Sequence, residues 1–262
     1  MRIVVLTKPV PDPAAGGDRL RPDGRLDRAA SPAVINGNDE YALEASLKLV
    51  ETLGGDVTLL AMAPEPGPDA IRKGLAMGAA RAVHINDPAL GGSCVVATVR
   101  VLAAALRTLE FDLVVAGVDT SDGTAGVVPA GVAAALRLPY LSYAAAIDPD
   151  PAAGVVRVRR ISPAGYDVIE APMPAVVSGT QLLGEPRYPS LKGIMGARSK
   201  EIAPLTLADL GIDPGAVGAA AATSRLVESW SPPPRGAAQV VRGPADEAGA
   251  TVVAFLAQRR IV

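Results

Sequence analysis

The feature that most constrains the fold is a regular alternation of short apolar runs with helical periods between Ile3 and Tyr143. Such runs, rich in β-branched residues, are typical of buried strands. The runs expected as strands cover residues 3–6, 57–62, 82–85, 113–115 and a segment that begins at 138. Strands that alternate with helices favour a parallel sheet with right-handed crossovers. We therefore predict an α/β fold: a doubly wound, mostly parallel, Rossmann-like sheet.

The pattern changes after Asp150. Three runs, at 155–161, 166–169 and 175–178, predict antiparallel strands that close one edge of the sheet. Residues 183–201 have no clear period, and prolines and glycines interrupt them. Beyond Ala203 the sequence predicts short helical pieces and a last amphipathic helix at roughly 245–259. So little core-forming pattern favours an arm that wraps a partner over a second domain.

Composition excludes several classes of function. The formal net charge is −2 in 262 residues, and the sequence has no long basic run. Both observations argue against nucleic acid as a main partner. Cys94 is the only cysteine and His84 the only histidine, which argues against disulfides, a His/Cys metal site and a His-dependent catalytic triad. We interpret Cys94 as a buried small apolar residue and His84 as structural.

No apolar run reaches the length of a membrane span, and the first residues, MRIVVLTK, predict a strand rather than a signal peptide. The sequence therefore predicts a soluble, cytoplasmic protein without membrane insertion.

The segment 112–131 predicts an anion-binding loop. The run at 113–115 is followed by small and polar residues at 119–124, and a helix is expected from Ala125. The first amides of a helix have no partner within it, and the helix dipole favours an anion there. Gly123 and Gly126 would let the backbone approach a ligand closely. The alternative is a capped helix start that binds nothing.

Ligands of parallel sheets bind beyond the carboxyl ends of the strands. Three such ends are expected to converge here, at 7–8, 62–63 and 117–118. Lys8 lies at this edge of the predicted sheet. It has two interpretations: a contact to a ligand or interface, or a solvated strand end.

Four sequence motifs carry a resemblance to a known family. They are KPVPD at 8–12, Asn36 with DEYALE at 39–44, LAMGA at 75–79 followed by AVHI at 82–85, and EPRYPSLKGIM at 185–195. Together they resemble the beta subunit of electron transfer flavoproteins across essentially the whole chain, and the last motif is the most specific. The resemblance implies a heterodimer with an alpha subunit, without catalytic residues or a metal of its own.

The resemblance also implies the ligands and partners. FAD would be held mainly by the alpha subunit, and AMP would be buried in this chain. Electrons would pass from flavin dehydrogenases, such as the acyl-CoA dehydrogenases of fatty acid oxidation, to a quinone-linked oxidoreductase or another acceptor. Because the flavin does the redox chemistry, the protein needs only to position it.

The implied cofactor-binding residues lie at the strand ends and in the loop at 119–128. They are Leu6, Thr7, Lys8, Asn36, Ala61, Met62, Ala63, Asp119, Asp122, Gly123, Thr124, Ala125, Gly126, Val127 and Val128. The strand ends would contact adenine, and Asn36 would hydrogen-bond a ribose or base edge. Many relatives have Gln-Thr-Gly where this chain has Thr124-Ala125-Gly126, so the backbone amides at 123–128 are the expected phosphate donors.

The implied partner-binding residues are Arg187, Tyr188, Leu191, Ile194 and Met195. Prolines and glycines are expected to keep 186–196 outside regular structure. Leu191 either packs on its own domain or enters a pocket of the dehydrogenase.

Three positive charges, Arg187, Lys192 and Arg198, would steer an acidic partner surface. The resulting division is a nucleotide-binding domain at 1–182, a partner-recognition segment at 183–202 and an arm at 203–262 that docks on the alpha subunit.

Two alternatives stay open. A relative that holds a second FAD in this subunit and bifurcates electrons would use the same adenosine site. A stand-alone nucleotide-binding sensor domain of the same fold would explain residues 1–145 but leave the motif at 185–195 without a role.

Overall fold

The computed structural model describes residues 1–15, 19–65, 67–230, 232–234 and 236–262. Within this part of the chain, nine strands form one sheet and two short strands form a separate antiparallel pair. The strands are β1 (Arg2–Leu6), β2 (Pro9–Pro11), β3 (Ala33–Ile35), β4 (Asp56–Met62), β5 (Arg81–Ile85), β6 (Leu113–Gly117), β7 (Tyr140–Asp150), β8 (Val155–Ser162), β9 (Gly165–Pro172), β10 (Ala175–Gly179) and β11 (Ile202–Leu205). The α-helices are α1 (Gly37–Leu53), α2 (Gly67–Met77), α3 (Val95–Leu106), α4 (Val128–Leu136), α5 (Leu191–Ala197) and α6 (Ala245–Gln258).

The large sheet has the strand order β11-β5-β4-β1-β6-β10-β7-β8-β9. Neighbouring strands from β11 to β7 run parallel, whereas β8 and β9 are added antiparallel at one edge. The central strands are buried along nearly their whole length, as expected for a parallel sheet covered on both faces. The predicted fold class is confirmed.

Each face of the sheet carries its own apolar core. Along β1, Ile3 and Val5 pack with residues of α1 and α2, whereas Val4 and Leu6 pack with residues of α3 and α4. This alternation follows from the period of two in a strand. The helices on either side cover the sheet and leave its carboxyl edge to the loops.

The prediction for residues 175–178 is wrong in orientation. This segment is not an antiparallel edge strand: β10 lies inside the sheet, parallel to both β6 and β7. All five of its residues are buried, which is the pattern of a central strand. The antiparallel hairpin of β8 and β9 carries the chain out to the edge and back, and β10 then returns to the centre.

The prediction of irregular structure at 186–196 is confirmed for residues 186–190 and wrong from Leu191 onward. Residues from Leu191 to Ala197 form α5, and the Ser190 hydroxyl caps the helix by accepting a hydrogen bond of 3.0 Å from the Gly193 amide. Directly afterwards, β11 pairs with β5 at the other edge of the sheet. The arm predicted from Ala203 therefore begins inside the sheet, and Leu207 and Val217 beyond it are buried in the core shared with α3.

The chain divides into two compact units, residues 1–226 and 227–262. The first contains the sheet and α1 to α5. The second contains α6. None of the α6 residues that the structure describes is buried, and Val253 is 60% exposed. Among the described residues, no helix has the length and apolar character needed to span a bilayer.

Candidate functional site

The strand order creates a crevice at the carboxyl end of β1. From β1 the chain passes through α1 to β4 on one side, whereas β6 pairs with β1 on the other. The order in which the chain adds strands therefore reverses at β1. At such a point the loops on the two sides lead away from each other and leave a space between them, and ligands of open α/β sheets bind there. Leu6 aligns with Leu60 and with Ala116, so the three predicted strand ends lie side by side. The predicted convergence is confirmed.

Asp39 connects the two strands that border this crevice. One carboxylate oxygen accepts a hydrogen bond from the Lys8 amide at 2.8 Å, and the other accepts one from the Gly117 amide at 3.2 Å. Burial raises the pKa of Asp39 to about 7, although these hydrogen bonds oppose the rise. A Cβ at Gly117 would lie 2.6 Å from Asp39 Oδ1, so only glycine allows this close approach.

Asn36 fixes the beginning of the predicted phosphate loop. Its Nδ2 donates to the Asp119 carbonyl at 2.8 Å, and its Oδ1 accepts from the Ser121 amide at 3.1 Å. The side chain is buried, and both of its polar groups are used by the loop. Asn36 thus shapes the site, and its expected hydrogen bond to a ribose or base stays a prediction.

Three charged side chains meet beside this loop. Lys8 Nζ lies 2.8 Å from Asp122 Oδ1, and Arg28 pairs with Asp122 Oδ2. The Asp122 side chain is only 1% exposed. Although burial raises its pKa, the two cations lower it further, so the net shift is downward. Sequence reasoning missed Arg28, because a single cation in a polar segment without periodicity carries no recognisable signal.

The loop itself has the backbone of a cradle. Thr124 and Gly126 adopt positive φ values of 43° and 63°. The Thr124 amide donates to the Thr120 carbonyl at 2.8 Å, whereas within the described residues the amides of Gly123 and of residues 125–127 make no hydrogen bond. These four residues are exposed and precede α4, so their amides are available as donors for an anion.

Thr7 adds an independent observation. It is buried, yet in the part of the chain that the structure describes its Oγ1 has no hydrogen-bond partner. A buried polar group without a partner is costly, so this hydroxyl is suited to a polar ligand at the end of β1.

The other predicted cofactor residues lie around the same edge. Leu6, Ala61 and Ala63 are buried, Met62 is half-buried, and Val127 is exposed ahead of Val128 at the start of α4. His84 is buried, with Nε2 2.8 Å from the Ala63 carbonyl oxygen, so its ring is used in packing beside a strand end.

A second candidate surface lies on α5 and the residues directly before it. Leu191 is 78% exposed and Tyr188 94% exposed, and Ile194 and Met195 are exposed beside them. Arg187 differs from the expectation of a free positive charge, since its guanidinium bonds to both Glu44 and Glu51. It is therefore neutralised by its own domain, and its predicted role in steering loses support.

Cys94 is half-buried and precedes the first residue of α3, in contrast to the expected buried position. Its Sγ lies 3.5 Å from Thr223 Oγ1, and this contact, together with amides at the helix start, lowers the thiol pKa to about 6. Within the described residues, no cluster of three His, Cys, Asp or Glu side chains could hold a metal ion.

Comparison with known proteins gives one consistent result. The family model described as the electron transfer flavoprotein domain matches residues 23–210. The chain is 40% identical to the electron transfer flavoprotein subunit beta of Mycobacterium leprae, over 99% of each chain, and 33% identical to that of Clostridium acetobutylicum, over 100% of each. It is also 33% identical, over 100% of both chains, to a subunit of the caffeyl-CoA reductase–Etf complex of Acetobacterium woodii.

These matches extend beyond the sheet and include the motif at 185–195, which a stand-alone sensor domain would leave without a role. The chain belongs to the family of electron transfer flavoprotein beta subunits.

Proposed function

We propose that this chain pairs with an alpha subunit and carries electrons, through a flavin shared by the pair, from flavin dehydrogenases to a quinone-linked or other acceptor. The observation that carries this proposal is the exposed apolar surface on α5, with Leu191 at its centre. Single apolar side chains are common on protein surfaces, but four large ones on one short segment are typical of a contact surface. Acyl-CoA dehydrogenases are the donors that we expect.

The carboxyl-edge crevice is proposed to bind AMP. The Thr7 hydroxyl and the amides at 123 and 125–127, which make no hydrogen bond within the described residues, fit a nucleotide with one phosphate. Lys8 and Arg28 add positive charge beside the loop, although Asp122 balances part of it. The residues of this chain would bind and orient the nucleotide, whereas the chemistry belongs to the FAD, which accepts and releases electrons when bound.

A second FAD in place of AMP is the alternative, because one adenosine site serves both ligands. The similarity to a subunit of a reductase complex supports it. Counting flavin per heterodimer by absorbance separates the two: AMP in this site predicts one flavin, and a second dinucleotide predicts two.

The alpha subunit is proposed to receive the C-terminal unit. Most residues of α6 are exposed, and they include Val252, Val253 and Phe255, which would be buried by a partner. We propose that the chain works in the cytoplasm as an electron carrier without catalytic residues of its own.

Replacing Leu191 tests the proposal. Burial of one leucine in a partner pocket contributes about 1.5–3 kcal/mol, so Leu191→Ala should lower kcat/KM for flavin reduction by an acyl-CoA dehydrogenase by roughly ten- to a hundredfold. Assembly, flavin content and reduction by dithionite should be unchanged. Leu20→Ala is the matched control, because Leu20 is 56% exposed and lies outside α5.

Normal donor kinetics in Leu191→Ala would refute the docking role. Loss of flavin or of the alpha subunit, with unchanged donor kinetics per bound flavin, would identify Leu191 as a packing residue.

A further inference from the structure

We propose that Gly193 and Arg187 are positioning residues, which fix α5 on the α/β domain so that its apolar side chains form a docking surface before any partner arrives. This inference rests on the proposed function, in which the donor docks on α5. It differs from the expectation of an irregular recognition loop, since a loop would have to become ordered on contact. Contacts at the middle and at the two ends of α5 hold the helix on the domain.

The middle of α5 contacts α2 through Gly193. A Cβ at this position would lie 2.3 Å from the backbone oxygen of Ala76, a distance that real Cβ atoms do not reach. Because the opposing atom belongs to the backbone of a packed helix, it cannot rotate away, and α5 itself would have to move. Gly196 in the same helix has no atom within 4 Å of an equivalent Cβ.

The N-terminal end is held by Arg187. Its amide donates to Glu44 Oε2 at 3.1 Å, its Nε donates to the same oxygen at 2.7 Å, and a terminal nitrogen donates to Glu44 Oε1 at 3.2 Å. Glu51 accepts two further bonds from the guanidinium. The Glu44 side chain is only 4% exposed, so this fork-shaped pairing is largely removed from solvent.

The C-terminal end is held by a reciprocal exchange with α2. Arg72 in α2 donates to the carbonyls of Ala197 at 2.7 Å and Lys200 at 2.6 Å. Lys200 Nζ in turn donates to the carbonyls of Leu75 at 2.9 Å and Ala79 at 2.7 Å. These bonds satisfy carbonyls at the ends of two helices, where partners are otherwise lacking.

The test compares Gly193→Ala with Gly196→Ala in the assembled heterodimer. Both variants add one methyl group to α5, and only the first creates a clash. Gly193→Ala should lower kcat/KM for reduction by the dehydrogenase by roughly ten- to a hundredfold, because small displacements of contact groups are costly. Hydrogen exchange at amides 191–197 should become faster, and flavin content and dithionite reduction should stay normal. Gly196→Ala should match the wild type.

Arg187→Lys is a second variant, and it separates positioning from charge steering. It keeps the positive charge but cannot form the fork to Glu44 and Glu51, so a positioning role predicts slower reduction and faster exchange in α5. Wild-type exchange and kinetics in both Gly193→Ala and Arg187→Lys, together with slow reduction in Leu191→Ala, would overturn this inference alone. Normal kinetics in Leu191→Ala would instead overturn the docking role on which it depends.

Discussion

Asp39 offers a direct test of how the nucleotide crevice is built, through the replacement Asp39→Asn. Its carboxylate joins the Lys8 and Gly117 amides at the ends of β1 and β6 and is buried there. Asparagine has nearly the same shape and carries no charge. Its one oxygen can accept from one of these two amides, whereas its NH2 group faces the other at a cost that does not change with pH. The change of the stability difference with pH therefore isolates the cost of keeping a buried charge at this position.

The magnitude follows from the pKa, which burial raises from 3.8 to about 7. Below about pH 3 the carboxyl is protonated in both the folded and unfolded states, and its contribution to stability is complete. As the pH rises towards 7, only the unfolded state ionises freely, and stability is lost at about 1.4 kcal/mol per pH unit. The total loss is about 4 kcal/mol and levels off above pH 7. Relative to wild type, the asparagine variant should gain about 3 kcal/mol between pH 5 and pH 8.5.

The assay is urea unfolding of the purified heterodimer at pH 5, 6, 7 and 8.5, with wild type and Asp39→Asn side by side. Asp69→Asn serves as the control for loss of one negative charge, because Asp69 is exposed in the first turn of α2. If the difference in unfolding free energy between Asp39→Asn and wild type stays constant from pH 5 to 8.5, Asp39 is ionised throughout. In that case the hydrogen bonds outweigh burial, and the pKa of Asp39 is not raised.

Two further predictions concern the loop at 119–128 and the start of α3. Gly126→Val should release the nucleotide while the protein still folds, because a β-branched residue is strained at the φ of +63° that Gly126 adopts. The control is Gly211→Val, since Gly211 has the same φ of +63° and open space around it. Nucleotide measured after denaturation should fall only in Gly126→Val, and unchanged content would show that the phosphate lies elsewhere. Cys94 should react with iodoacetamide at half its maximal rate near pH 6, the pKa of its thiol. Thr223→Ala should move this midpoint to higher pH, because the side-chain hydrogen bond to Thr223 is removed. A midpoint that stays unchanged in Thr223→Ala would show that this bond does not lower the pKa of the thiol.

Much of the fold could be predicted from local patterns. The helices between β1, β4, β5 and β6 bury one face, which gives their sequences a helical period. The four strands are buried on both faces, so each appears in the sequence as a short apolar run. The position of β10 could not be predicted in this way. Its residues form a buried apolar run, but whether such a run lies at an edge or between two strands depends on pairing with residues far away in the sequence.

Helix α5 shows a different limit. It has seven residues, two of them glycines, and such a short helix has little intrinsic stability. Its bonds come from distant parts of the chain, such as Arg72 and the Glu44 partner of Arg187. The same holds for Arg28 in the crevice, whose partner Asp122 lies 94 positions away. Sequence patterns indicate which residues carry polar groups, but only the folded chain assigns their partners.

Helix α1 joins the two candidate surfaces and explains why their tests can be separated. Asp39 in its first turn holds the crevice, whereas Glu44 and Glu51 further along hold Arg187 and, through it, α5. Ala42, Leu43 and Leu47 lie between Asp39 and Glu51 in the sequence and are buried in the core. Core packing therefore holds α1 in place independently of either surface. None of the atoms nearest to a Cβ at Gly126 or Gly193 belongs to α1. Nucleotide content should therefore respond to the first substitution, and donor kinetics and amide exchange in α5 to the second. If either substitution changed both properties, α1 would be transmitting strain between the surfaces rather than separating them.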